Sequence, residues 1–269
     1  MVEYPLSAWR LIRSVPADGA MNMAIDEAIL RAVAAGSAPS TLRFYAWVPP
    51  CLSLGRGQPV ADVDRQALAA AGYDLVRRPT GGRAILHIDE LTYSVVAPEG
   101  EPRVAGGVVE SYRRLSAGLV RGLEQLGVAD IVADQRAETR GHEGPLCFEM
   151  PSDYEITVGG RKLVGSAQMR AGGVVLQHGA LPLYGDIARL CPMLASHPDP
   201  GRVRARAVAV DEVLGRAVSW GEAAEALAAG FAEALNLALE PGTLTAGERA
   251  HARALRMEKY ATEEWTALL

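Results

Sequence analysis

Residues able to do chemistry concentrate in three short segments: Arg77-Arg78-Pro79-Thr80-Gly81-Gly82-Arg83, Cys147-Phe148-Glu149-Met150-Pro151-Ser152 and Lys162-Leu163-Val164-Gly165-Ser166-Ala167-Gln168. Cys147 follows a polar stretch and precedes a Pro-Ser break, which suits a thiol at a loop or strand edge. A free cysteine is otherwise an inert buried residue, so on residue type alone both readings stand. Lys162 falls on a strand, where a solvated lysine is the plain reading. Gly81-Gly82 reads either as a tight turn or as a place where missing Cβ atoms let backbone N–H groups approach a carbonyl or anion, with Arg78 or Arg83 nearby. It lacks the Gly-Lys-Ser/Thr ending of a phosphate loop and the GxGxxG spacing, so nucleotide binding does not follow from it. His87 and His178 read as core histidines with satisfied nitrogens or as site residues. The three cysteines, Cys51, Cys147 and Cys191, are widely spaced without a Cys-x-x-Cys pair. That pattern fits neither a disulfide framework nor a zinc site, and no ligand spacing suggests a metal.

The elements that must position these residues can be read from periodicity. Asp18 predicts the cap of a helix over Gly19 to Ala35, because Met21, Ile25, Ala28, Ile29 and Ala32 recur at helical spacing. Thr41 to Trp47 alternates as a strand and Pro49-Pro50 ends it. A strand over Leu52-Leu54, a short helix over Ala61 to Ala71, and strands over Tyr73-Arg78, Arg83-His87 and Leu91-Ala97 follow, then a long helix over Val108 to Leu126. Tyr154 to Val158, Gly159-Gly160 and Arg161 to Val164 spell a hairpin with a primed turn, and a third strand covers Val174 to Leu183. Ser219 precedes a helix to Asn236, Cys191 falls in an apolar helix, and Thr245 with Glu248 forms a capping box. The pattern predicts an α+β fold, one domain over 1–269 built on a mixed β-sheet with flanking helices.

Composition narrows the function classes. The chain is 49% hydrophobic and 22% charged with a net charge of -5, which is ordinary for a soluble domain and gives no global attraction for nucleic acid. No apolar run reaches the length of a membrane span, and no secretory signal is visible, so the expected location is cytoplasmic. Arg202-Val203-Arg204-Ala205-Arg206 is the most basic short stretch, a solvated loop or a contact for an acidic partner.

Longer strings around the three segments carry a resemblance. Leu42-Arg43-Phe44-Tyr45…Trp47…Pro49-Pro50…Ser53-Leu54-Gly55, Arg77 to Ala84 with His87 and Glu90-Leu91-Thr92-Tyr93-Ser94, Cys147-Phe148-Glu149…Pro151-Ser152…Tyr154-Glu155, Gly160 to Gln168, and Leu176-Gln177-His178-Gly179 occur in order over about residues 20 to 185. Together they resemble the biotin/lipoate protein ligase catalytic-domain family, and within it most the LipM-type octanoyltransferases. The resemblance implies transfer of octanoyl from acyl carrier protein to the H protein of the glycine cleavage system or another lipoyl domain, with no cofactor. It makes Cys147 the acyl-thioester nucleophile and Lys162 the residue that lowers its pKa. Arg78, Gly81, Gly82, Arg83, His87, Gly165, Ser166, Gln168, His178 and Gly179 become the substrate-binding set. Related ligases often carry an acid directly after the motif histidine, where this chain has Ile88 and then Asp89. They commonly add a C-terminal accessory domain and a third glycine where this chain has Arg83, which points away from ATP-dependent activation. The alternatives are an ATP-dependent lipoate–protein ligase, a lipoyl amidotransferase and a non-catalytic module that binds lipoyl domains.

The implied chemistry has a quantitative demand. A thiol of pKa about 8.5 is only about 3% thiolate at pH 7, and lowering it to about 7 raises that fraction about fifteenfold. Nucleophilicity falls with a Brønsted slope of about 0.4 to 0.5, so the net gain is only about three- to fourfold. Lys162 is therefore expected also to place or polarise the acyl carbonyl. An octanoyl chain needs a narrow apolar tunnel, for which Val95, Val164 and Val175 are the expected lining. The acceptor lysine must lose a proton, to the departing thiolate or to His178.

Overall fold

The computed structural model describes residues 4–134 and 155–269. In chain order the elements are β1 (Ser7–Arg13), α1 (Gly19–Ala34), β2 (Thr41–Tyr45), β3 (Cys51–Leu54), α2 (Arg65–Ala70), β4 (Asp74–Arg77), β5 (Ile85–His87), β6 (Glu90–Pro98), α3 (Val108–Gln125) and β7 (Ile131–Asp134). They continue with β8 (Glu155–Val158), β9 (Arg161–Ala171), β10 (Val174–Pro182), α4 (Pro200–Arg204), α5 (Val210–Leu214), α6 (Trp220–Leu235), β11 (Leu237–Pro241), α7 (Ala246–Leu255) and α8 (Glu263–Thr266).

Eight strands pair in the order β11-β1-β2-β6-β10-β9-β8-β7. The β11–β1 and β1–β2 pairs are parallel and the rest antiparallel, so the sheet is mixed as expected. Because side chains alternate along a strand, the sheet has two apolar faces. Leu42, Phe44, Tyr93 and Val95 meet Leu115, Leu119 and Phe231 of α3 and α6 on one face. Tyr45, Val96 and Leu176 meet Met23, Ala28 and Ile29 of α1, with Leu255 of α7, on the other. A second sheet, β4-β3-β5, was not foreseen as separate. It packs over α2 and the 3₁₀ segment Ile187–Met193, where buried Cys191 sits instead of in an α-helix.

Local chemistry sets the boundaries. Asp18 accepts the Met21 N–H at 2.7 Å and starts α1 as predicted. The helix expected from Ala61 is a 3₁₀ turn, Val60–Asp62, and then α2, because Asp64 caps a new start by accepting the Ala67 N–H at 2.9 Å. β2 ends at Tyr45, where the Asn22 amide takes the Ala46 carbonyl at 3.1 Å. The β8–β9 hairpin turns on Gly159 and Gly160, both at positive φ (56° and 75°), the primed geometry that glycine adopts without steric cost. Two buried ion pairs tie the layers together: Arg10 to Glu248 at 2.6 Å between β1 and α7, and Arg43 to Asp26 at 2.7 Å between β2 and α1.

Candidate active site

A cavity of about 40 Å³ lies where the two sheets meet α1. Its walls are largely apolar or glycine: Met23 from α1, Trp47 after β2, Ile85 from β5, and the facing runs Gly165–Ala167 and His178–Ala180 from β9 and β10. Gly179 is required by close approach, since a Cβ there would come within 2.6 Å of the Gly165 carbonyl and the Tyr93 ring. Any side chain at 179 would push apart the two strands that form this wall.

The polar groups around the cavity are tied to one another. Arg78 is 4% exposed, and its guanidinium donates to the Ser53, Gly81 and Arg83 carbonyls at 2.8–3.1 Å and to Ser53 Oγ. It braces the Gly81-Gly82 loop from within, where Gly82 stands at φ +89°. His87 stacks on Trp47 with ring centroids 3.9 Å apart, and its Nε2 and Nδ1 lie 2.8 Å from Ser53 Oγ and Glu90 Oε1. Thr92 donates to the same Glu90 oxygen and accepts the Trp47 indole N–H.

His178 sits between Thr80, whose Oγ1 lies 2.7 Å from Nε2, and Asp26, whose Oδ2 lies 3.4 Å from Nδ1. Asp26 also accepts from Arg43, Tyr45 and Ser94. Burial opposes its charge, but Arg43 and the His178 hydrogen bond outweigh that and hold the carboxyl below its ordinary value. With Asp26 ionised, His178 donates from Nδ1 and accepts the Thr80 hydroxyl at Nε2. Burial pushes the His178 imidazole below its ordinary value of 6.5 despite Asp26, so it is neutral at pH 7. A prediction follows from the sign. As pH falls below 6.5 the unfolded chain binds a proton that folded His178 does not, so stability drops until the lower folded value is reached. The limiting slope for one group is about 1.4 kcal/mol per pH unit. Urea unfolding between pH 7.5 and 5.5 should show a flatter pH dependence for His178→Gln; equal slopes in variant and parent would contradict a neutral buried His178.

Lys162 is not in the cavity wall but stands three residues before it on β9. The β8–β9 register shifts between Ile156 and Thr157, pairing Thr157 with Lys162 but Ile156 with Val164. Leu163 is the extra residue of a bulge, and Leu163 and Val164, though consecutive, both join the core under α3 and α6. Lys162, one step before Leu163, is thereby turned to the face that Gly165 and Ala167 present to the cavity. Beyond the end of the β10 pairing, residues 206–208 run beside it: Lys162 N donates to the Arg206 carbonyl at 2.7 Å, and the Lys162 carbonyl accepts from Val208 N at 3.0 Å. Ala207, between them, packs with Ile85 and Ala180 of the cavity wall. The Lys162 ammonium donates to Glu155 Oε1 at 3.0 Å, with both side chains 4% exposed.

Comparison with known proteins decides the family. Residues 18–232 match the family model described as the lipoyl protein ligase A/B catalytic domain. The chain belongs to that family. Its relatives include an octanoyltransferase LipM of Kyrpidia tusciae, 48% identical over 97% of this chain and 98% of the relative, and one of Symbiobacterium thermophilum, 46% identical over 96% and 97%. These matches make the chain an acyltransferase of lipoate biosynthesis, the enzyme class expected from the sequence. Among solved structures, an archaeal bi-partite lipoate protein ligase from Thermoplasma acidophilum, described with its E2 lipoyl domain, superposes with a TM-score of 0.80 at 30% identity, covering 98% of each chain. A lipoate-protein ligase A bound with ATP gives 0.83 at 28% identity, covering 97% of this chain and 100% of the ligase.

Of the expected binding residues, Arg78, Gly82, His87, Gly165, Ser166, His178 and Gly179 come together in the cavity wall. Gly81, Arg83 and Gln168 do not. Gly81 and Arg83 serve through carbonyls that hold Arg78, and Gln168 bonds Ser111 and Gln177 on the opposite face of the sheet. Cys147 lies outside the described residues. Val95, Val164 and Val175, the expected tunnel lining, are in the core under α3 and α6 and not in the wall of this cavity. The acid beside His87 is Glu90, whereas Asp89 pairs with Arg189 at 2.7 Å. Asp26, Ser53, Thr80, Glu90 and Thr92 were missed. Asp26 left one signal, a carboxylate on the apolar stripe of α1 with Arg43 as a candidate partner on an inward-facing strand.

Proposed function

We propose that this chain takes octanoyl from octanoyl-acyl carrier protein onto Cys147 and passes it to a lysine of the glycine cleavage H protein or another lipoyl domain. It acts in the cytoplasm as one catalytic domain and needs no cofactor for transfer. The observation that carries the reading is the apolar cavity that begins three residues along β9 from a buried, ion-paired lysine. An alkyl chain has no polar groups to satisfy there, and its carbonyl would lie toward the Lys162 end. The octanoyltransferase relatives support octanoyl as the cargo, and the archaeal ligase described with its E2 lipoyl domain supports a lipoyl domain as acceptor. Among the described residues, no helix is long and apolar enough to cross a membrane.

The chemistry has two displacements. The Cys147 thiolate attacks the carrier thioester carbonyl, and the carrier thiolate leaves and takes up a proton; one thioester replaces another at nearly equal free energy. The neutral acceptor amine then attacks the Cys147 thioester, the Cys147 thiolate leaves, and the amine proton passes to that thiolate or to neutral His178. Amide formation makes the second step downhill. Mixing octanoyl-carrier, apo H protein and this chain without nucleotide should move the octanoyl mass to the acceptor. The likeness to the ATP-bound ligase favours a second reading, which the same experiment tests. Acylation of the acceptor only when free fatty acid and ATP are both supplied would replace our proposal with a ligase.

Transfer should also slow severalfold as ionic strength rises from about 0.05 to 0.5 M, because an acidic carrier would meet exposed Arg202 of α4 and exposed Arg206 of the segment paired with Lys162. Arg204 and Arg161 are tied to Asp186 and Glu212, and Arg170 is turned inward onto the Val104 carbonyl and Ser111. The Arg161/Arg170 surface is accordingly the weaker candidate. A rate insensitive to salt would remove the docking idea.

A further inference from the structure

We infer that Glu155 is a positioning residue for Lys162 and acts on acyl transfer through it. The inference rests on the transferase reading above. Among the described residues, three contacts hold Lys162. Its main chain is paired with Thr157 of β8 on one side and with residues 206–208 on the other, and its ammonium meets Glu155 at 3.0 Å. The first two already fix the strand. The hairpin also has its glycine turn and the β9–β10 ladder, so the fold has anchors here that do not involve the carboxylate.

Burying two opposite charges is costly, and well-packed apolar residues of similar volume often serve stability as well or better. A 4%-exposed pair at the cavity end of a bulged strand is therefore weak evidence for a stability role and better evidence for a placement role. The bulge selects the face to which Lys162 points, and Glu155 selects where on that face the end of a four-carbon side chain comes to rest. A donor useful to a developing oxyanion must be held before the reaction, because reorganisation during the step forfeits most of its value. Glu155 also balances the lysine charge, so the pair presents an oriented N–H rather than a lone buried cation.

The test uses the full chain in steady-state transfer from octanoyl-carrier to apo H protein, with kcat and KM measured separately and folding followed by melting. Glu155→Gln should lower kcat about tenfold or more while KM stays within about twofold. Glu155→Asp, which keeps the charge but shortens the reach, should fall between Glu155→Gln and the parent. In a Lys162→Ala background, Glu155→Gln should cost less than about twofold, because a residue acting only through Lys162 has nothing left to position. Parental kcat in Glu155→Gln, or an equal loss in both backgrounds, would overturn the inference. If Glu155→Gln fails to fold, Glu155→Asp carries the test, with parental kcat as the contradicting result. The failures are distinguishable: parental activity in Lys162→Ala removes the lysine role itself, whereas impaired Lys162→Ala with parental Glu155→Gln removes Glu155 alone.

Discussion

Cys147→Ala is expected to take up no octanoyl from the carrier and to lose at least about a thousandfold in transfer rate, since removal of a covalent nucleophile leaves only binding and placement. The other cysteines are internal controls. Cys51 is fully buried in β3, and burial pushes its thiol well above the ordinary range, which makes it a poor nucleophile. Cys191 is buried in the 3₁₀ segment on the far side of the small sheet. Cys51→Ala and Cys191→Ala should keep transfer activity apart from packing losses, measured as rate per folded enzyme. Robust transfer by Cys147→Ala would end the covalent mechanism.

Lys162→Ala is expected to fold and to lose about a hundredfold or more in rate, the scale of a preorganised donor to a developing oxyanion. Thiolate population alone accounts for only about three- to fourfold. The structure sharpens the contrast, because the Glu155 carboxylate 3.0 Å from Lys162 offsets the charge with which the lysine would stabilise a thiolate. The two roles separate in a pH–rate profile. Were Lys162 only a pKa-lowering charge, raising the pH would restore the variant to the parental rate; the donor role predicts a deficit that persists at every pH.

Much of this site is local in the sequence, and that part was legible. Gly159-Gly160, the Asp18 cap and the Thr245–Glu248 box each encode their element within a few residues, and all three form. The expected binding set held seven residues that the fold gathers into one cavity wall. What could not be read depends on contacts between distant segments. β1 and β11 pair only because the chain returns after α6, and Trp9 and Leu11 do not announce a strand by alternation alone. The bulge at Leu163 inverts the phase of β9 between Lys162 and Gly165, so Val164, expected beside the acyl chain, belongs to the core. The buried set of Asp26, Arg43, Tyr45 and His178 comes from one helix and two strands, and no spacing rule links 26 to 178. Glu155 stood in a quoted motif without a role, because its partner lies across a turn whose register the bulge alters.

The covalent intermediate is the most direct test of the account. The parent protein is incubated with octanoyl-carrier and no acceptor, and intact mass and peptide mapping are read before and after neutral hydroxylamine, which cleaves thioesters and spares amides. The account predicts one octanoyl group on Cys147, released by hydroxylamine and discharged by apo H protein at a rate compatible with turnover. An active preparation that never carries octanoyl on Cys147, or carries it only on another residue, would contradict it.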